Sequence, residues 1–322
     1  MKNKDSLRLT FREYSPGDLP ALHEMWKRSE ACYPGGYLSA IPNIQTLQKM
    51  IETDDAPVRF VIVNESSGEL AGYWELTEDP TRKLAHIHVN ILPHYQGLSG
   101  QWTLPMWIKS LEVLTNRNIS KVIGDTWTTN YRAIVLPKRL GFFLIPGRTG
   151  HLECYLPGIL REPIVRDFFD RHGWKDVVEQ LWNRPVHLEE DRCLWKKRSV
   201  YPYSWRFDKD FLEVLVDPSS EAIVSLKTTA FSAYCHVPSE TFIGYPCKFL
   251  CGITIKGDGE KAVRGAFHIP GKKGQIDKQE ANFTGKRLFL REHTFDPEDM
   301  EEEVNEKRCM FSAQLNVEGK EF

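Results

Sequence analysis

The stretch Lys83–Trp107, KLAHIHVNILPHYQGLSGQWTLPMW, decides how this 322-residue chain is read. Its first ten residues alternate. Leu84, His86, His88 and Asn90 fall on one face, and Ala85, Ile87, Val89 and Ile91 on the other, which is the period of a β-strand. Pro93 closes that run, Gly97 and Gly100 punctuate a turn, and PMWIKSLEVLTNRN then carries helical spacing. A strand passing through a glycine turn into a helix has the form of a phosphate-binding turn, with Gln101 and Trp102 placing bulk where such turns favour small residues.

Working outward, Leu7–Tyr14 alternates as a strand, and Ser15-Pro16-Gly17-Asp18 supplies a turn and an N-cap for the amphipathic run LPALHEMWKRSE. Ile44–Glu52 repeats helical spacing, and RFVIVNESSGELAGYWEL reads as a hairpin turning at Ser66-Ser67-Gly68. Downstream, KVIGDTW is a short apolar strand. Asn130 caps a helix over YRAIVLPKRL, Gly141 ends it as a C′ residue, and FFLIPG begins a further strand. Strands and helices mixed in this way predict an α+β domain with a mixed central sheet flanked by helices.

The order of these elements, together with Asn130-Tyr131-Arg132-Ala133-Ile134-Val135-Leu136-Pro137-Lys138-Arg139-Leu140-Gly141-Phe142 and Pro93-x-Tyr95-Gln96-Gly97, resembles the GNAT superfamily of N-acetyltransferases. The resemblance covers the N-terminal half. It implies acyl transfer from acetyl-coenzyme A to an amine, with the cofactor lying between the strand at Val89–Ile91 and the strand at Val122–Asp125. Backbone groups of Val89 and Ile91 would hold the pantetheine arm, and Asn130 would orient it. Gln96, Gly97, Ser99 and Gly100 would touch the pyrophosphate, where N–H groups at a helix N-terminus and the helix dipole favour negative charge.

Three residues differ from the family pattern. Gln101 stands where glycine or alanine is expected, Pro105 enters the helix, and Pro137 replaces the tyrosine that protonates the leaving thiolate in many members. If Thr103 caps the helix, Pro105 lies in its first turn. Tyr131 is the candidate substitute for the missing acid. The base that deprotonates the amine has three candidates: Glu75 on the strand GYWEL, and His86 and His88, a pair at i, i+2 whose neutral imidazoles suit proton acceptance near pH 7. The same residues also read as ordinary packed or surface side chains of a strand.

The C-terminal half has a different texture. LREPIVRDFFDRHGWKDVVEQLWNRP predicts one or two helices broken at Gly173, and ECYLPGILREP marks a boundary. From Val200 the runs FLEVLVD, AIVSLKTTAFSAYC, FIGYPCKFLCGITIKG, KAVRGAFHIPG and KRLFLREHTF predict an antiparallel sheet or barrel, and FDPEDMEEEVNEKRC predicts a final helix. The domains expected are 1–157 (GNAT-like), 158–198 (a helical linker) and 199–322 (strand-rich with a C-terminal helix). The aromatic run YPYSWRF is read as packing or as a stacking surface.

Composition bounds the function classes. With 41% apolar and 27% charged residues the chain has ample core material for two domains, and a net charge of −2 gives no electrostatic footprint for nucleic acid. No run of 18 apolar residues occurs, and MKNKDSLRLTFREYS lacks an apolar segment after its lysines, so neither a membrane span nor a secretory signal is expected. Seven cysteines scattered over the chain suit reduced thiols and a cytoplasmic protein. Cys235, His236, Cys247 and Cys251 are the right donor types for zinc, but the loose spacing and apolar surroundings favour buried thiols, and no metal site is assigned.

Two functions follow. One is an N-acyltransferase acting on an amine-bearing acceptor, small molecule or protein. The other, resting on Gln101, Pro105 and Pro137, is a non-catalytic GNAT-fold adaptor that binds protein partners, or a second copy of itself, through its C-terminal half.

Overall fold

The computed structural model describes residues 8–32, 43–53, 56–95, 102–126, 130–145, 147–148, 150–186, 193–196, 198–236, 246–256, 261–268, 276–283, 285–294, 301–303, 306–308, 312–317 and 320–321. These fall into two compact units, Met1–Gly158 with Trp174–Glu190 and Ile159–Gly173 with Asp191–Phe322.

The first unit is built on β1 (Leu9–Glu13), β2 (Val58–Asn64), β3 (Leu70–Asp79), β4 (Leu84–Ile91), β5 (Lys121–Asp125), β6 (Phe143–Leu144) and β7 (His151–Cys154). They form one sheet in the order β1-β2-β3-β4-β5-β7-β6. Every neighbouring pair is antiparallel except β4 and β5, which run parallel. The helices are α1 (Leu19–Cys32), α2 (Ile44–Thr53), α3 (Thr103–Asn116), α4 (Tyr131–Arg139), the short α5 (Leu156–Ile159) and α7 (Trp174–Asn183).

Alternation along β3 explains why helices cover the sheet on both sides. Trp74 points to one face, packs edge-on against Trp107 of α3 with ring centres 6.2 Å apart, and donates to Ser110 Oγ at 3.2 Å. Trp107 continues to Phe142 at 5.4 Å and donates to the Leu140 carbonyl at 3.0 Å. These aromatics are fully buried and their indole N–H groups are satisfied, which is how tryptophan enters a core without a polar penalty. Tyr73, one residue earlier, points to the other face and meets Trp26 of α1 at 6.2 Å. There Ser29 of α1 also donates to Asn90 of β4 at 2.8 Å.

The segment read as a domain boundary, Glu153–Pro163, opens inside a strand, β7, that the sequence analysis did not assign. That strand inserts between β5 and β6, with Val122↔Cys154 and Ile123↔Glu153 in register. α5 follows at once and docks tightly. A Cβ on Gly158 would lie 2.5 Å from the Ser120 carbonyl oxygen, so only glycine fits. Gly173, with φ 81°, separates α6 (Pro163–His172) from α7, giving the two helices expected from the break.

In the second unit, β8 (Cys193–Trp195), β9 (Arg198–Phe207), β10 (Asp210–Asp217), β11 (Ala222–Thr228), β12 (Phe231–His236), β13 (Pro246–Ile255) and β16 (Lys286–Thr294) make an antiparallel sheet ordered β16-β13-β12-β11-β10-β9-β8. A second sheet joins β15 (Ile276–Phe283), β14 (Lys261–His268), β19 (Ser312–Val317) and β20 (Lys320–Glu321). YPYSWRF is the body of β9, and its inward residues Tyr201, Tyr203 and Trp205 are buried, so packing is its role. Phe169 of α6 meets Trp205 edge-on at 5.3 Å, while His172 stacks on Phe207 at 4.3 Å and bonds Asp210 at 2.8 Å.

The C-terminal helix expected over FDPEDMEEEVNEKRC is corrected. Its described residues form β17 (Glu301–Glu303) and β18 (Glu306–Arg308), paired so that Glu301 faces Arg308 and Glu302 faces Lys307. A helix over this run would place Glu298 and Glu301–Glu303 on adjacent turns, where like charges repel.

Candidate functional site

The site begins where β4 and β5 part. Their register is Leu84↔Lys121, Ala85↔Val122 and His86↔Ile123, and ends there, although β4 continues to Ile91 alongside β3. Val89 and Ile91, the candidate cofactor-arm residues, lie in this continuation and are partly exposed. They stand opposite Trp74 and Gly72 of β3. Strand backbone beyond the end of a ladder is where an extended ligand can add hydrogen bonds to a sheet.

At the same end of β4 the chain turns into α3. Buried Tyr95 anchors the lead-in by accepting from Asn64 Nδ2 at 3.0 Å and donating to Glu69 Oε2 at 2.7 Å. Gln96, Gly97, Ser99 and Gly100, the expected pyrophosphate contacts, lie outside the described residues, as does Gln101. Trp102, not Thr103, is the cap of α3, so Thr103 is its first helical residue and Pro105 its third. A proline there costs no helical hydrogen bond, because the N–H groups of the first turn have no partner within the helix. Two buried polar atoms of this turn, Trp102 Nε1 and Thr103 Oγ1, have no hydrogen-bond partner among the described residues. Buried donors without partners at a 14-residue helix N-terminus fit an anionic group such as the diphosphate of coenzyme A.

The three candidate bases share one face of the sheet. In the β3–β4 register Glu75 stands opposite His88, and Thr77 opposite His86. Their environments separate them. Glu75 is buried and committed: it accepts from Arg59 Nε at 3.0 Å and from the Tyr73 hydroxyl. Burial and the neighbouring Glu75 charge push the Tyr73 hydroxyl far above its usual range. His88 is exposed. His86 is half-buried at the last shared position of β4 and β5. Desolvation lowers its pKa first and the charge of His88 further, against an opposing pull from Asp125. Its imidazole is therefore neutral near pH 7, the form that accepts a proton.

The sequence reading missed a second cluster on that face. His151 of β7 bonds Asp125 Oδ1 through Nδ1 at 2.6 Å and Glu153 Oε1 through Nε2 at 3.0 Å, and Tyr155 donates to Glu153. The hydrogen bond with Glu153 raises the His151 pKa, opposed by burial and aided by Asp125. Burial pushes Glu153 up, but the His151 and Tyr155 hydrogen bonds outweigh it and hold the carboxyl below its usual range. The alternation His151-x-Glu153-x-Tyr155 was a legible strand signal, hidden by its closeness to Pro157.

Asn130 caps α4 as expected, its side-chain oxygen accepting from Ala133 N at 3.2 Å. Tyr131 opens the helix and is 57% exposed. Pro137 sits inside α4 with no proton to donate. Among the described residues no group of three His, Cys, Asp or Glu side chains is arranged to hold a metal ion, and no helix is long and apolar enough to cross a membrane.

Several solved acetyltransferases are similar in structure to just under half of this chain. Spermidine N-acetyltransferase from Vibrio cholerae, solved with CoA and spermine, is 20% identical, with 48% of this chain and 98% of that chain covered and a TM-score of 0.38. Ribosomal-protein-alanine N-acetyltransferase from Brucella melitensis is 17% identical over 44% of this chain and 95% of that one, with a TM-score of 0.36. The aminoglycoside acetyltransferase AAC(6')-Ib, in complex with coenzyme A, is 18% identical over 48% and 98%, also at 0.36. No family model and no curated protein matches the sequence.

Proposed function

We propose that the N-terminal unit, residues 1–157 and the helix α7, moves an acetyl or other short acyl group from coenzyme A to an amine by direct attack. The observation that carries this reading is the parallel β4–β5 pair whose register stops at His86↔Ile123, at the strand end from which the chain enters α3. Bound there, acetyl-coenzyme A supplies an activated thioester. Backbone groups of Val89 and Ile91 hold its arm, Trp102 and Thr103 with the turn Gln96–Gly100 meet its phosphates, and Asn130 fixes the start of α4 beside it. His86 accepts the proton of the attacking amine, since it is the candidate base whose surroundings favour the neutral form. Glu75 holds the face in place through Arg59 and Tyr73. The acceptor is an amine on a small molecule or a protein, and scattered reduced thiols accord with a cytoplasmic setting.

A second reading rests on Pro137 inside α4, which removes the usual thiol-protonating group. On it, the unit is a non-catalytic adaptor. Calorimetric titration with acetyl-coenzyme A, alongside a thermal shift, separates the two. Binding at 100 times the dissociation constant adds about 2.7 kcal/mol of stability, and Gly97→Trp abolishes it on the first reading. Absence of both heat and shift at millimolar cofactor overturns acyl transfer in favour of the adaptor.

A further inference from the structure

In the second unit, Cys235 of β12 and Cys251 of β13 stand directly opposite in the antiparallel register, and their sulfur atoms are 3.3 Å apart. Both are free thiols. Cys251 is fully buried, whereas Cys235 is partly accessible and accepts the hydrogen bond from Cys251. Closing the gap to a disulfide bond length of about 2.05 Å requires a sulfur shift of only about an ångström, within the reach of side-chain rotation.

We propose that Cys235 and Cys251 are a redox pair that closes into a cross-strand disulfide on exposure to a low-molecular-weight disulfide, tying β12 to β13. The chemistry is thiol–disulfide exchange. The Cys235 thiolate attacks one sulfur of the small disulfide, forming a mixed disulfide and expelling a thiolate. Cys251 then attacks the Cys235 sulfur, its proton passing to the second departing thiolate. Two protein thiols are oxidised and one small disulfide is reduced to two thiols.

The division of labour follows from the surroundings. The hydrogen bond from Cys251 lowers the Cys235 pKa first, against desolvation, and the charges of Arg198 and Lys196 add to the effect. Its thiolate is thereby favoured, as an attacking cysteine requires. The Cys251 thiol is held protonated by that same hydrogen bond and by burial, which protects it from outside attack; the hydrogen bond to a charged partner lapses once the Cys235 sulfur is in the mixed disulfide, and Cys251 is then free to act as the resolving group.

The test uses the full chain, reduced, then incubated with oxidised glutathione and alkylated. The expected result is a mass lower by about 2 Da before alkylation, two of the seven thiols lost, and a peptide map joining Cys235 to Cys251. Cys251→Ser is expected to trap one glutathione on Cys235. The proposal is overturned if both cysteines of the wild type remain alkylatable, or if the cross-link joins other cysteines while this pair stays reduced. Should Cys251→Ser fail to fold, the wild-type map decides alone.

Discussion

His86 of β4 and Ile123 of β5 are the last residues that the two parallel strands share. The half-buried imidazole thus stands at the point where the ladder stops and β4 continues toward Val89–Ile91, on the same face as Glu75 and His88.

His86→Gln is expected to lower kcat for acetyl transfer by about 10²–10⁴-fold, the usual contribution of a positioned base, while leaving the far-ultraviolet spectrum unchanged. In the wild type, rate rises with pH as His86 loses its proton. Because burial and His88 depress that pKa, the acid limb lies below the ordinary histidine value of about 6.5. A variant with undiminished kcat and the same limb would remove His86 from the mechanism.

Glu75 is expected to act on stability before chemistry. Its carboxylate is 9% exposed against an Arg59 side chain at 16%, and removing one member of such a pair costs about 3–5 kcal/mol. Urea unfolding of Glu75→Leu should show that loss, and the double variant Arg59→Leu/Glu75→Leu should recover much of it. A Glu75→Leu protein as stable as the wild type contradicts the structural role.

The His151–Glu153 pair makes stability depend on pH in a definite direction. His151 has a raised folded pKa, so its contribution is complete below its unfolded value of about 6.5 and disappears as pH rises through the folded one. Glu153 has a lowered folded pKa, so its contribution is present above about 4.3 and is lost as pH falls through the folded one. The thermal midpoint of the wild type should exceed that of His151→Gln most between these limits, and the difference should shrink at alkaline pH. A gap constant from pH 5 to 10 would show that packing, not charge, holds His151.

Asn130→Ala should cost about 1 kcal/mol by removing the cap of α4, whereas Asn130→Asp should preserve it. Equal losses in the two variants, read from denaturant midpoints, would mean that the hydrogen bond to Ala133 N contributes little.

Much of this was present in local pattern. Alternation in Leu84–Ile91 placed His86 and His88 together, Asn130 and Gly141 bracketed α4, and Gly173 divided two helices, because caps, breakers and periodicity act within a few residues. β7 escaped because its alternation, His151-x-Glu153-x-Tyr155, is short and runs close to Pro157. The acidic C-terminal run misled because the backbone register that pairs its two short strands is invisible to helical counting.

By itself, then, the sequence determined the succession of elements in the N-terminal half, the polar face of β4 and the departures at Pro105 and Pro137, all of which depend on local chemistry. The folded chain alone fixes where the β4–β5 register stops, that Glu75 is bound by Arg59 and Tyr73, that Asp125, His151 and Glu153 converge, and that Cys235 meets Cys251. The side-chain contacts among them join residues 2 to 26 positions apart. They arise from strand order and register, which are set by how whole faces of the sheet bury their apolar residues, and no single segment encodes that choice.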